Sequence, residues 1–361
     1  MTLIKFSTNK QEQQFYTVLK ERVDRYLKAN NYSGYGTPLH YFKALLFFSI
    51  YLLSYLLLIF VDLTDIFLVG LYASLGITGL LVAFNVSHDA CHESFMANKT
   101  WNKIIYSLTF NMLGTNAYLW KMRHNDSHHL FPNVDGCDAD IDNNAVIRLS
   151  PRSPLRWYHK YQYLYAPLVY LIYTLHWVFY KDFHYLGREK LANMTNIQHS
   201  FKAKLGVFSS KALYLTYILI VPILVHPDQI GAVIIGFLCM HFTMSYFFLF
   251  TNILNHYAEG VDFPTPSESD GRLPHIWAVH QMATSQDFHP TNKVYNFFFG
   301  GFNAHNAHHI FPQIAHVHYS AISRIIASTA KEFKIPYKTT TWWKGMKSHF
   351  AFLKRMGRRG I

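Results

Sequence analysis

The chain has 361 residues, of which 50% are apolar and 17% aromatic while only 15% are charged, against about a quarter charged in an ordinary soluble domain. That composition excludes a water-soluble globule of this size and points to a membrane protein. The formal net charge of +12 does not argue for nucleic acid, because the basic residues fall outside the apolar runs instead of forming one recognition surface.

Residues 1–40 are polar and charged and lack the apolar stretch of a secretory signal. They predict a cytosolic N-terminal segment ahead of a single membrane domain over 41–361. Spanning the hydrocarbon takes about 20 mostly apolar residues in a helix. No Lys or Arg occurs over 44–98, and two apolar runs there, parted by Asp62-Leu63-Thr64-Asp65, predict spans over 43–61 and 66–86. A second window free of Lys and Arg, 212–271, predicts spans over 210–226 and 230–251 around a break at His226-Pro227-Asp228-Gln229.

The run over 161–180 is also long enough to cross. A crossing there would put Lys181, Arg188, Lys190, Lys202, Lys204 and Lys211 outside, against the positive-inside bias, so this Tyr- and Trp-rich stretch is read as interfacial. The expected fold is all-α: four transmembrane helices in two hairpins, both termini cytosolic, and a cytosolic helical cap. The basic, aromatic tail WWKGMKSHFAFLKRMGRRGI suits an anionic leaflet. The three cysteines, Cys91, Cys137 and Cys239, form no CxxC pair and no disulfide framework.

Eight of the 22 histidines fall in three clusters: HDACH (His88, His92), HNDSHH (His124, His128, His129) and HNAHH (His305, His308, His309). Spacings of three and four put imidazoles on one helix face, and an i,i+4 pair can hold one ion from two sides. The second and third clusters end alike, HHLFP and HHIFP, with Pro132 and Pro312 stopping each helix. Both predicted hairpins return to the cytosolic side, so the three clusters converge there. His256, just after the fourth span, mirrors His88 after the second, and Asn252 lies one turn before it.

So many nitrogen donors exceed one tetrahedral zinc and suit two borderline ions; spacing alone leaves iron, zinc and manganese open. Metal-bound imidazoles usually donate their other N–H to an oxygen, for which Asp89, Glu93 and Asp126 lie within or beside the clusters, followed by Asp135, Asp138 and Asp140. His280, His289, His316 and His318 read as structural, and His226 falls on the outer side, away from the site.

The three clusters, in this order and parted by membrane hairpins, resemble the histidine boxes of the integral-membrane fatty acid desaturases, from about residue 40 to the C-terminus. The resemblance implies two iron ions held by His88, His92, His124, His128, His129, His305, His308 and His309. His256 would complete the set, and Asn252 would contact a metal through water. It also implies an oxidoreductase that uses O2 and two electrons to place a double bond in a fatty acyl chain carried by CoA, a carrier protein or a phospholipid.

HDACH is similar to the first box of acyl-lipid and linoleoyl-type enzymes. HQMATSQDF with GGFNAHNAHHIFP resembles the front-end group, whose third box usually begins with Gln where His305 stands here. The chain has no HPGG motif of a fused cytochrome b5, so the resemblance implies an external electron donor such as ferredoxin or cytochrome b5, in a bacterial inner membrane or the endoplasmic reticulum. The nearest alternative is a lipid hydroxylase or ketolase on the same scaffold. An alternative of another class is a membrane metal transporter or sensor, which should carry histidines or carboxylates within its spans.

Overall fold

The computed structural model describes residues 4–141 and 144–358. Among the described residues, four helices are long and apolar enough to cross a membrane: Pro38–Phe60, Asp65–Cys91, Phe201–Val225 and Pro227–His256. The 161–180 run is not among them. It breaks into Gln162–Leu171, Tyr173–His176 and a π turn at Trp177–Lys181, exposing Leu164, Leu168 and Ile172 along one side and burying Ala166 and Tyr170 on the other.

The second and fourth spans reach further than hydropathy alone indicates. At 27 and 30 residues they run to about 40–45 Å, against about 30 Å of hydrocarbon. The surplus lies at the end carrying the histidines, so His88 and His256 ride on rigid extensions of the membrane helices. Glycines bring these two spans together. A Cβ on Gly76 would lie 2.6 Å from the Met240 carbonyl oxygen, and one on Gly236 would enter the Tyr72 ring, the close approach that small residues allow between membrane helices. Around them pack Leu68, Leu75, Val233 and Met240. At the far end the two hairpins are tied by His226 Nε2 to the Leu58 carbonyl, 2.6 Å, and by Gln229 to the Leu63 carbonyl and Asp65.

The remaining helices form a cap over the opposite end. The helix Lys10–Ala29 buries Phe15, Leu19 and Val23 against Ile322, Ile326 and Ala330 of Tyr319–Phe333. Its Glu12 accepts hydrogen bonds from His275 Nδ1 and the Ile276 amide, both 2.8 Å. This helix thus packs on the cap. The only sheet among the described residues is a two-residue parallel pairing of Asp287–Phe288 with Thr339–Thr340.

Candidate metal centre

The first box sits where the second span leaves the bundle. A π turn over Ala83–Ser87 precedes His88, and such turns shift the helical phase, often at functional sites. The second box is itself a π turn, His124–His128, closed by the His129 amide bonding to the His124 carbonyl at 2.9 Å. The third box opens the short helix His305–Ile310. It is reached through Gly300 and Gly301, both at positive φ, where a Cβ on Gly300 would collide with the Phe84 carbonyl. That contact sets the third box against the first. Asp287 holds the box from below, accepting from the Asn306 amide at 2.8 Å and its Nδ2 at 3.0 Å; burial raises its carboxyl to about 6.

The nine histidines are brought together in two groups. His88, His92, His124 and His308 form one, His128, His256, His305 and His309 the other, with ligand atoms in each group within 4.8 Å of one another. His129 lies between them, its Nε2 3.0 Å from His124 Nε2 and its ring stacked on His309 at 4.4 Å. The expectation that the i,i+4 pair of the second box holds one ion is not met, because the π turn sends His124 to one group and His128 to the other. In the third box His305 and His309 share a group and His308 faces the other.

The spacings fit metal ligation. His256 Nε2 lies 2.7 Å from His305 Nε2 and 3.3 Å from His309 Nε2, and the last two are 3.0 Å apart. Ligands at right angles on bonds of about 2.1 Å lie about 3.0 Å apart, and tetrahedral ligands about 3.4 Å. Several buried nitrogens otherwise lack any partner: both of His88, both of His308, and His92 Nε2. Leaving such atoms unpaired costs about 1–3 kcal/mol each, which a bound cation would remove. Burial, followed by the neighbouring imidazoles, pushes His92, His124, His129, His305, His308 and His309 well below the usual histidine range. They are therefore neutral at pH 7, the form that binds metals. At His128 burial opposes the charge, but Asp138 and Asp140 outweigh it and raise the pKa.

Oxygen partners fix several rings. His128 Nδ1 donates to Asp138, 3.1 Å from Oδ1, His256 Nδ1 to the Thr284 carbonyl at 2.9 Å, and His309 Nδ1 to Gln281 Oε1 at 2.7 Å. Gln281 also donates to the His129 carbonyl. Of the carboxylates expected beside the imidazoles, Asp138 bonds a box histidine, whereas Asp89, Glu93 and Asp126 do not. Asp89 is turned into the cap, where it accepts from the His316 amide and Nδ1. Glu93 pairs with Lys99 at the surface, and Asp126 is exposed. Asp89 lies one residue along the helix from His88 and so points about 100° away from it, while Glu93 follows the helix end with a positive φ of 60°. Gln281, on the short helix Trp277–Ala283, carries no local signal because its amide is neutral and its partner His309 is distant in the chain. His280 bonds the Pro132 carbonyl and His318 the Tyr35 carbonyl, both structural links.

Asn252 lines a cavity of about 150 Å³ together with His124, His128, His256 and His305, its Nδ2 donating to the Phe248 carbonyl at 3.0 Å. A smaller apolar cavity of about 40 Å³ reaches from His88 into the bundle past Leu80, Leu113 and Met244. Trp120, Phe248 and Phe302 line both. His241, midway along the span Pro227–His256, is engaged by Thr174 and Tyr214.

Residues 63–341 match the fatty acid desaturase family model. This chain belongs to that family. It is similar to an acyl-lipid (8-3)-desaturase of Physcomitrium patens, 31% identical over 96% of this chain and 72% of the relative. It also resembles sn-1 linoleoyl-lipid 6-desaturases of Arthrospira platensis, 30% identical over 95% of this chain and 92% of the relative, and of Synechocystis, 28% over 98% of each. The desaturase is thus a membrane oxidoreductase acting on fatty acyl chains. Its histidine groups are suited to hold the metal on which the family depends.

Proposed function

We infer that this desaturase holds two iron ions: one among His88, His92, His124 and His308, the other among His128, His256, His305 and His309, with His129 beside the first and Asn252 contacting the second through water. The observation that carries this reading is the convergence of the His256, His305 and His309 Nε2 atoms at 2.7–3.3 Å, the separation expected of nitrogens that share one ion. When bound, the irons supply O2 activation and removal of two hydrogens from the acyl chain. The protein's part is to bind and orient that chain. The two cavities carry it past both histidine groups, its methyl end among Leu80, Leu113 and Met244. Trp120, Phe248 and Phe302 press it against the imidazoles and exclude water.

The substrate in this reading is an acyl chain esterified in a membrane lipid, and the new double bond falls on its carboxyl side. Support comes from relatives named acyl-lipid (8-3)- and linoleoyl-lipid 6-desaturases. The lipid-facing side of Gln162–Leu171 beside the larger cavity also fits lateral entry from the bilayer. Electrons come from an external donor such as ferredoxin or cytochrome b5, and the cap faces the cytosol. The test is fatty acid profiling of a host expressing wild type or His309→Ala. A new unsaturated species absent from the variant supports the reading. A product that gains an oxygen instead of losing two hydrogens would make the enzyme a hydroxylase.

A further inference from the structure

The larger cavity holds a feature that the metal centre does not use. Besides the histidines it is lined by two cationic side chains, Arg123 and Lys181. Arg123 has only 4% of its side chain exposed; its Nε pairs with Asp140 Oδ1 at 3.3 Å, and its Nη1 has no hydrogen-bond partner. The guanidinium lies 4.8 Å from the Trp177 ring centre. The Lys181 ammonium lies 5.6 Å from both the Tyr173 and the Tyr185 rings. Burial, then Arg123, holds Lys181 down to about 7, against the pull of Asp140 and Asp182. A donor kept in an apolar cavity without an acceptor costs free energy unless a ligand supplies one.

We propose that Arg123 and Lys181 bind the carbonyl oxygen of the substrate's acyl ester and so set which carbons reach the metals. The inference rests on the desaturase reading above and names how its substrate is measured out. Geometry bounds the position. His128 Nδ1 is bonded to Asp138, so Nε2 is left to face an ion, about 4 Å beyond Nδ1. Asp140 Oδ2 lies 3.7 Å from that Nδ1, and its other oxygen 3.3 Å from Arg123. With about 2 Å across the carboxylate, Arg123 is at most about 13 Å from the ion. A hydrogen bond takes about 3 Å at the carbonyl end, and the reacting carbon lies outside the metal–ligand bond of about 2 Å. An extended chain advances about 1.2 Å per bond, a third of the reach of one extended residue. Where the guanidinium, the chain and the ion lie in line, about six or seven bonds separate the carbonyl from the reacting carbon. In this arrangement the ester carbonyl is the origin from which the site counts.

The test compares an ester with an ether. Wild-type holoenzyme with its electron donor is given one acyl chain as a glycerolipid ester, as a CoA thioester, and as the matching glycerolipid ether that lacks the carbonyl. The ester should be used with a KM at least tenfold below that of the ether and with a single double-bond position; the ether should give mixed positions. Whichever of the two carbonyl substrates is used with the lower KM identifies the carrier. In Lys181→Met the ester should come to resemble the ether in KM and in positional scatter, with metal content unchanged, and Lys181→Arg should restore fidelity. Wild type that uses ester and ether with equal KM at one and the same position overturns the inference while leaving the desaturase intact. No unsaturated product from any substrate would instead overturn the function on which it rests.

Discussion

Asp138 is the residue whose replacement separates a metal-positioning carboxylate from a bystander most cleanly. It is fully buried, and both its oxygens only accept: Oδ1 takes His128 Nδ1 at 3.1 Å and the Asp140 amide at 2.9 Å, Oδ2 takes His128 Nδ1 at 3.2 Å and the Asn133 amide at 2.9 Å. In Asp138→Asn one oxygen becomes an NH2 group. Whichever way the amide turns, it sets a donor against a backbone N–H at 2.9 Å, which loses a charge-assisted bond and strands a buried amide at about 1–3 kcal/mol. The His128 ring loses the anion that fixes its tautomer, and outer partners of this kind are worth about 10–100-fold in metal affinity or activity. Metal titration of the purified protein, alongside product yield, should show that loss for Asp138→Asn and none for Asp126→Asn. Unchanged metal affinity and yield in Asp138→Asn would refute the assignment of this carboxylate to His128.

Other expectations are equally specific. His226→Ala removes a 2.6 Å bond at the end of the bundle remote from the boxes, so it should cost about 1 kcal/mol of stability yet leave metal content and product intact; loss of metal would contradict the topology. Gly300→Ala combines a positive φ with a collision at Phe84 and should lower the melting temperature in detergent and abolish metal binding, while Gly206→Ala, with helical φ and open space around its Cβ, should retain both. The six imidazoles held below the usual range stay unprotonated in the fold, whereas an unfolded chain takes up protons below about pH 6.5. Stability of the metal-free protein should therefore fall as pH drops from 7.5 to 5.5, and an equal melting temperature at both would refute neutral burial. Chelation should remove activity and lower the melting temperature, and iron should restore both.

The spans and the three boxes were legible because their signals are local: apolar length, basic residues at the boundaries, and histidines three and four apart. What escaped depends on contacts distant in the chain. The sharing of the second box between two groups follows from a π turn, which replaces the i,i+4 facing of His124 and His128 by an i,i+5 meeting of His124 with His129. Gln281 reaches His309 from another segment. Asp138 stood among several aspartates with nothing local to mark it out, and Asp89, adjacent to His88 in sequence, points to His316 instead. The N-terminal helix did carry a readable pattern, Phe15, Leu19 and Val23 at spacings of four, but its polar composition masked an apolar stripe that docks on the cap.

The most direct test of the two-ion cage is metal analysis of the purified, reconstituted enzyme, wild type beside His305→Ala. The account predicts two iron ions per wild-type chain and loss of the ion held by His128, His256 and His309 in the variant, with the other retained. A single ion per wild-type chain, or equal metal content in the variant, would contradict it.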